Sequence, residues 1–160
     1  DKSDGFVTTN ITIEQMEALI SEERGLTVAK ESGTVYGFAM AASWDFWSGW
    51  PLFAYMIEKL PEHLLDNDVL SIKNSYQYGP ICIDKPFRGS GLFEKTFHFS
   101  LQSMSVRFPI MVTFINQINS RSYAAHTNKV CMTTVGDFTF NKNDYYMLAC
   151  QTYKANTERR

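Results

Sequence analysis

The sequence contains little cysteine and lacks the common cysteine and nucleotide motifs. Its three cysteines, Cys82, Cys131 and Cys150, are odd in number and widely spaced, without a Cys-x-x-Cys pair or a histidine at metal-ligand spacing. This pattern predicts reduced thiols in the cytoplasm and no bound metal. No loop ends in Gly-Lys-Ser or Gly-Lys-Thr. Nucleotide hydrolysis is therefore not expected, because that ending holds the terminal phosphates of a nucleotide.

An excess of positive charge is also absent. The 160 residues carry 15 Lys and Arg against 17 Asp and Glu, which gives a net charge of -2. Since these charges are scattered rather than striped, nucleic acid is not an expected partner. With 44% hydrophobic and 14% aromatic residues, the chain can bury a single core. We predict one domain over residues 1–154 and a flexible tail over 155–160.

The chain has no unbroken apolar run of membrane-spanning length. In the longest candidate, residues 35–57, Asp45 is the one charged residue, but Gly49-Trp50-Pro51 would break a helix in its middle. The flanks also lack the basic anchors of a membrane span. The segment is therefore predicted to form a buried strand, an aromatic loop and a helix, and no membrane association is expected.

Hydrophobic periodicity predicts an alternation of helices and strands. The predicted order is a helix from the Thr12–Gln15 capping box to Gly25, a hairpin of strands 26–30 and 35–43, a helix from Pro51 to Leu60, a loop at 66–68, a strand over 75–83, a helix from Leu92 to Phe108, a strand over 110–115, a helix over 119–129, and a hairpin of strands 132–140 and 145–150. Because two helical crossovers follow strand 75–83, at least one strand pair must be parallel. The predicted class is α/β with a mixed sheet.

A glycine-flanked loop joins strand 75–83 to the helix that begins at Leu92. It reads Arg88-Gly89-Ser90-Gly91. Unpaired N–H groups at a helix start attract anions, and glycines let a phosphate approach them. A dinucleotide fingerprint is not favoured, because Glu94 stands where its third glycine belongs. The alternative is a loop that only joins the two elements.

Two blocks resemble the GNAT superfamily of N-acetyltransferases, which bind acetyl-coenzyme A. Arg88-Gly89-Ser90-Gly91-Leu92 is similar to the family's Arg/Gln-x-x-Gly-x-Gly/Ala motif, and residues 119–126 are similar to its asparagine and helix segment. Phe93 stands where the motif has Gly or Ala, and His126 stands where a tyrosine is usual. The family's first strand is matched only by residues 5–9, so the chain is expected to lack its natural N-terminus.

The resemblance implies a mainly antiparallel sheet with one parallel pair splayed around the cofactor. It also implies a set of acetyl-CoA-binding residues: Ile81, Cys82, Ile83, Arg88, Gly89, Ser90, Gly91, Leu92, Phe93, Asn119 and His126. In this set the backbone of 81–83 bonds the pantetheine amides, 88–93 cradle the pyrophosphate and Asn119 bonds the pantetheine arm. For Cys82 the alternative is a small buried hydrophobic residue, and for Asn119 it is a helix cap.

Acetyl transfer to an amine requires a free amine, a stabilised oxyanion and a proton for the departing thiolate. His126 is the candidate acid, because histidine donates a proton near neutral pH. The base stays open among Tyr78, Glu58, Glu62 and His63. An enzyme acting on a small amine or an exposed protein amine is the leading hypothesis. The alternative is a coenzyme A-binding or interaction module without turnover.

The segment from Trp44 to Tyr55 is dense in aromatic residues and contains a carboxylate, Asp45. Acceptor specificity resides in this part of the chain in the resembled family. An aromatic-walled pocket with one carboxylate suits an organic cation. The alternative is a core cluster or a homodimer patch.

Overall fold

A computed structural model describes residues 9–153, which form one six-stranded sheet with helices on both faces. The predicted tail over 155–160 lies outside the described residues. So does the candidate first strand over 5–9, apart from Thr9.

The described elements follow the predicted order. They are α1 (Ile13–Ser21), β1 (Leu26–Glu31), β2 (Thr34–Ala42), α2 (Trp44–Trp47), α3 (Pro51–Lys59), a 3-10 turn (Leu60–Glu62), β3 (Leu64–Leu65), β4 (Asp68–Val69), β5 (Ser75–Ile83), a 3-10 turn (Lys85–Phe87), α4 (Leu92–Met104), β6 (Ile110–Asn116), α5 (Ser120–Ala124), a π-helical turn (Ala125–Lys129), β7 (Thr133–Phe140) and β8 (Asn143–Gln151).

Among the described strands, the central sheet has the order β1-β2-β5-β6-β8-β7, and its single parallel pair is β5 with β6. That pair is short, because only three residues of each strand are in register, from Ser75 opposite Ile110 to Gln77 opposite Val112. Beyond this point β5 stays paired with β2, and β6 stays paired with β8. The two strands therefore splay in the middle of the sheet. The mixed, mainly antiparallel sheet and its splayed parallel pair are confirmed.

The aromatic segment after β2 belongs largely to the core. Ser43 caps α2 by accepting a hydrogen bond from the Phe46 N–H, and this turn directs Trp44 and Trp47 onto the sheet. Both side chains are fully buried, whereas Asp45 is exposed. The predicted aromatic pocket around Asp45 is therefore wrong, and the core-cluster alternative holds. The indole N–H of Trp44 donates to Ser75 Oγ at 3.0 Å, so its polar atom is also satisfied inside the core.

Some element boundaries differ from the prediction. Helix α1 ends at Ser21 rather than at Gly25. The backbone of Gly25 instead packs closely against that of Ala41, where a Cβ would lie 1.5 Å from the Ala41 carbonyl oxygen. Helix α4 ends at Met104 rather than Phe108. The predicted loop at 66–68 is part of a small hairpin, since Leu65 pairs with Asp68.

No helix within residues 9–153 is both long enough and apolar enough to cross a membrane.

Glu23 ties together three elements at one edge of the molecule. Its carboxylate accepts hydrogen bonds from the Ser43 N–H at 3.0 Å and the Ser43 hydroxyl at 2.6 Å, and it forms an ion pair with Arg107 at 3.0 Å. Partial burial opposes ionisation, but the bonds from Ser43 and Arg107 outweigh it and lower the pKa of Glu23. This carboxylate therefore links the end of α1 to the cap of α2 and to the chain after α4.

Replacing this carboxylate should destabilise the fold. We expect Glu23→Ala to lower the free energy of unfolding by about 1–3 kcal/mol, because two bonds from Ser43 and one from Arg107 lose a charged acceptor. Urea denaturation followed by tryptophan fluorescence measures the change. Glu17→Ala, an exposed position on α1, is the matched control and should change the value by less than about 0.5 kcal/mol. Equal effects of the two substitutions would contradict the role given to Glu23.

Candidate functional site

The splay between β5 and β6 opens a cleft of about 560 Å³ that reaches both faces of the sheet. Tyr78, Phe93 and His126 line it on the α4 face, whereas Phe53 and Phe114 line it on the α3 face. This volume lies within the ordinary range of small-molecule sites. The geometry allows a ligand on one face to present a group to a ligand on the other.

The edge of β5 presents backbone groups to this cleft. The Asp84 N–H donates to the Tyr36 carbonyl of β2 at 2.8 Å. Because backbone direction alternates along an antiparallel strand, Ile83 and Ile81 turn their backbone groups away from β2, and those of Cys82 face β2. Of the three residues predicted to bond pantetheine through the backbone, Ile81 and Ile83 therefore face the required way. Cys82 also lines the cleft, but its backbone groups face Phe38 of β2 rather than the cleft.

Where β5 and β6 separate, side chains donate hydrogen bonds to two carbonyls of β5. Tyr78 C=O, the first beyond the paired segment, accepts bonds from Thr113 Oγ1 at 2.7 Å and from Gln77 Nε2 at 2.6 Å. Ile83 C=O accepts a bond from Arg88 Nε at 3.1 Å. The Arg88 side chain therefore folds back and anchors the glycine loop to the end of β5.

The glycine loop has the conformation that its two glycines allow. Gly89 and Gly91 have φ values of 80° and 89°, in the left-handed region that other residues avoid. Gly91 is the N-cap of α4, and the first intrahelical bond runs from the Lys95 N–H to its carbonyl. The amides of the first turn therefore point outward from the helix start. Of the predicted loop residues, Arg88, Gly89 and Phe93 line the cleft, and Ser90, Gly91 and Leu92 lie outside its lining.

Within residues 9–153, three cationic side chains line the cleft: Arg88, Arg121 and Lys129. Arg88 is in the glycine loop, and the other two are in α5 and the π-helical turn after it. Such a group of cations attracts an anionic ligand such as a phosphate.

Asn119 lines the cleft and also caps α5. Its Oδ1 accepts a hydrogen bond from the Ser122 N–H at 3.1 Å. The helix-cap alternative is therefore correct, and the predicted contact with a pantetheine arm stays a prediction.

His126 is buried in the cleft wall, with 3% of its surface exposed. Its Nδ1 lies 2.8 Å from the Ser122 carbonyl oxygen. Because a carbonyl only accepts, Nδ1 carries the hydrogen, and Nε2 faces the Tyr78 hydroxyl at 3.4 Å with its lone pair. Burial lowers the pKa of His126 from 6.5 to about 4, although the bond to Ser122 opposes this shift.

The protonation state of His126 bears on its predicted role as the acid. With a pKa of about 4 the ring is uncharged near neutral pH. It then holds one hydrogen, on Nδ1, which is already donated to Ser122. A neutral ring of this tautomer can accept a proton at Nε2, and Nε2 has no hydrogen to donate until it has done so. A catalytic role for His126 stays a prediction.

Of the four candidate bases, only Tyr78 lines the cleft. The ring of His63 packs against Gly136, and Glu62 pairs with Lys59 at 3.1 Å. Burial raises the pKa of Tyr78 well above 10, so its hydroxyl stays protonated and acts as a hydrogen-bond donor. Glu58 is exposed and does not line the cleft.

Cys82 has the properties of a small apolar residue. It is half-buried, and burial raises the pKa of its thiol even though Arg88 lowers it. A protonated thiol is a weak nucleophile. The structure therefore favours the hydrophobic alternative for Cys82.

The sequence did not identify two aromatic residues of the cleft, Phe114 and Tyr145. Phe114 and Asn116 alternate on one face of β6, and Tyr145 lies opposite Asn116 on β8. The sequence predicts the strand over 110–115 as a continuous apolar run, which does not indicate the face that lines the cleft. It also contains no sign of the register that brings Tyr145 beside Phe114.

The buried neutral imidazole predicts an acid-dependent loss of stability. Unfolded His126 gains a proton near pH 6.5, but the folded side chain gains one only near pH 4. Between these pH values the unfolded state therefore binds more protons than the folded state. The free energy of unfolding decreases as the pH is lowered from about 6.5 to about 4. The loss due to His126 is about 3 kcal/mol.

Urea denaturation at pH 7, 6, 5 and 4 measures this loss in the intact protein and in His126→Gln. The variant is expected to lack this part of the decline and to keep the part due to carboxylates such as Glu23, whose pKa is lowered. Parallel declines in the two proteins would contradict a buried neutral His126.

No protein-family model matches the chain, and no curated protein matches its sequence. Solved structures do match. The acetyltransferase of GNAT family from Streptococcus pneumoniae has a TM-score of 0.60 at 11% identity, over 92% of this chain and 83% of that one. A ribosomal-protein-alanine N-acetyltransferase from Brucella melitensis has a TM-score of 0.58 at 14% identity, over 89% of this chain and 80% of that one.

A third match is yncA from Salmonella typhimurium, whose structure includes its cofactor acetyl-CoA. It has a TM-score of 0.52 at 17% identity, over 79% of this chain and 64% of that one. Identities this low establish the fold rather than the substrate. The fold implied by the resemblance of residues 88–92 and 119–126 is confirmed. The chain has the fold of the GNAT acetyltransferases.

Proposed function

We propose that the protein is an acetyltransferase that transfers the acetyl group of acetyl-CoA to an amine. The observation that carries this proposal is the cleft through the sheet, beside a glycine loop at the start of α4. A two-substrate transfer needs its reactants held in contact and in a fixed orientation. A cleft that is open on both faces supports this, with the cofactor on the α4 face and the acceptor on the α3 face.

The residues of the cleft fit the parts of acetyl-CoA. Its phosphates would be held by the amides at the start of α4, with Arg88, Arg121 and Lys129 supplying positive charge. Its pantetheine amides would bond the backbone of Ile81, which is turned away from β2. When bound, acetyl-CoA supplies a thioester carbonyl that an amine can attack.

We propose His126 as the residue that moves the proton. The reaction forms a C–N bond, breaks the C–S bond and transfers one proton from nitrogen to sulfur. Nε2 of His126 carries no hydrogen in this tautomer, which supports a role in accepting that proton, directly or through water. The resulting imidazolium, with a pKa of about 4, readily donates to a thiolate, whose pKa is about 8.5. His126 then acts first as a base and afterwards as an acid.

Tyr78 is proposed to support this step as a hydrogen-bond donor. Its hydroxyl stays protonated because burial raises its pKa well above 10. It lies 3.4 Å from His126 Nε2 and lines the same cleft. The hydroxyl has one hydrogen, so it would stabilise negative charge on the thioester oxygen by turning that hydrogen from Nε2 toward the thioester.

The cofactor assignment predicts a saturable interaction with acetyl-CoA. Calorimetric titration of the protein should show binding, and Arg88→Ala should weaken it at least about tenfold, since a charge-assisted contact and the anchor of the glycine loop are both lost. Lys73→Ala removes an exposed charge outside the cleft and is the control. An unchanged affinity in Arg88→Ala would remove Arg88 from the site. No binding to the intact protein would overturn the proposed function.

The catalytic assignment predicts separate effects on rate and on binding. With a reactive amine and saturating acetyl-CoA, His126→Gln should lower kcat by about 100-fold or more. Tyr78→Phe should lower it by a smaller factor, and both variants should keep the KM for acetyl-CoA. Thiol release measures the rates. Equal rates in the intact protein and His126→Gln would exclude His126 from the mechanism. If the protein binds acetyl-CoA but acetylates none of the amines tested, the result would favour a coenzyme A-binding module.

A further inference from the structure

The cleft has an aromatic wall on the α3 face, made by Phe53, Phe114 and Tyr145. The ring centroids of Phe53 and Phe114 are 5.6 Å apart, and those of Phe114 and Tyr145 are also 5.6 Å apart. The interplanar angles are 71° and 76°, so Phe114 stands nearly perpendicular to both neighbours. The three rings therefore form a continuous apolar corner rather than isolated contacts.

This wall is held in place from behind. The ring of Phe138 stacks on that of Tyr145 at 5.2 Å and 19°. Tyr55 lies 6.0 Å from Phe138 and supports it in turn. Phe53 is buried with 2% of its surface exposed, whereas Phe114 and Tyr145 are only half-buried. Rings that are fixed by neighbours and still partly uncovered provide a preorganised surface for a ligand.

The shape of this corner suits a flat ring. A planar aromatic group stacks on one ring and meets another by its edge at the centroid distances that aromatic pairs prefer. An alkyl chain fills such a corner less completely. The polar neighbour on the same strand face is Asn116, whose Oδ1 accepts from the Ile118 N–H. It offers a neutral amide rather than a charge.

Charge is divided between the two sides of the cleft. The cations Arg88, Arg121 and Lys129 lie on the glycine loop, α5 and the π-helical turn, whereas the aromatic wall comes from α3, β6 and β8. These cations attract phosphates but repel an acceptor that carries several positive charges. An acceptor with one amine on an apolar body meets the least repulsion.

We propose that the acceptor is an arylalkylamine, a primary amine joined by a short carbon chain to an aromatic ring that binds against Phe114 and Tyr145, beside the buried Phe53. This rests on the proposed function, because the amine must reach the thioester from the α3 face. The ring supplies binding energy at the wall, and the carbon chain carries the nitrogen toward His126. The acceptor nitrogen forms the new C–N bond to the acetyl carbon, the C–S bond of the thioester breaks, and the proton that the nitrogen loses passes to the sulfur of coenzyme A.

Three amines test the proposal at saturating acetyl-CoA: 2-phenylethylamine, propylamine and spermidine. Thiol release should give a kcat/KM for 2-phenylethylamine at least about tenfold above that for propylamine, which is the effect of burying an aromatic ring. Spermidine should be the poorest of the three. Equal values for 2-phenylethylamine and propylamine, or a preference for spermidine, would overturn the proposal.

Two pairs of variants locate the effect. Phe114→Leu and Tyr145→Leu should remove most of the preference for the aromatic amine and leave acetyl-CoA affinity within about twofold. Tyr145→Phe keeps the ring and should keep the preference. Phe99→Leu, on the exposed face of α4, is the control outside the cleft. An undiminished preference in both leucine variants, each folded by circular dichroism, would exclude the wall as the acceptor site.

A binding measurement separates this proposal from the proposed function. Calorimetric titration of 2-phenylethylamine and of propylamine into the protein, with and without saturating coenzyme A, requires no turnover. If no amine is acetylated, tighter binding of 2-phenylethylamine that is lost in Phe114→Leu still supports the aromatic site. Equal binding of the two amines overturns the aromatic site, even in a protein that acetylates both.

Discussion

The separation of β5 from β6 is the constraint on which the site depends. The two strands are paired for three residues and then diverge, and each keeps its other neighbour, β2 or β8. A sheet opened in its middle would normally leave buried carbonyls without partners, at a cost of about 1–3 kcal/mol each. Thr113 and Gln77 satisfy the Tyr78 carbonyl, and Arg88 satisfies that of Ile83. Side chains thus take the place of strand hydrogen bonds at these two carbonyls.

The aromatic residues divide between two tasks that their sequence positions do not distinguish. Trp44 and Trp47 precede α3 and seal the core under β5, with their indole N–H groups donated to Ser75 and to the Gln77 carbonyl. Phe114 and Tyr145 are only half-buried, because they lie where the sheet is open. The same kind of side chain therefore stabilises the fold beside the paired segment and lines the open cleft beyond it. The splay determines which task each ring has.

Local chemistry predicted much of this molecule, and long-range register accounts for most of what it missed. The capping box at Thr12, the glycine loop over 88–91 and the cap at Asn119 each act within a few residues, so the sequence displays them directly. The aromatic wall requires Tyr145 of β8 to lie opposite Asn116 of β6, and one sequence contains no sign of that pairing. Gly25 looked like a helix end but serves a backbone contact with Ala41.

His126 shows why a residue type alone does not define a catalytic role. The sequence predicts an acid at this position because the ordinary pKa of histidine lies near neutrality. The fold surrounds the ring with Phe93, Phe97 and Tyr78 and fixes the Nδ1 hydrogen on Ser122. Burial therefore removes the charge, and the tautomer leaves Nε2 as an acceptor. The same two features make an imidazolium formed there a strong donor, since the apolar wall disfavours its charge. The proposed proton transfer therefore depends on the burial and tautomer of the ring, which the residue type alone does not reveal.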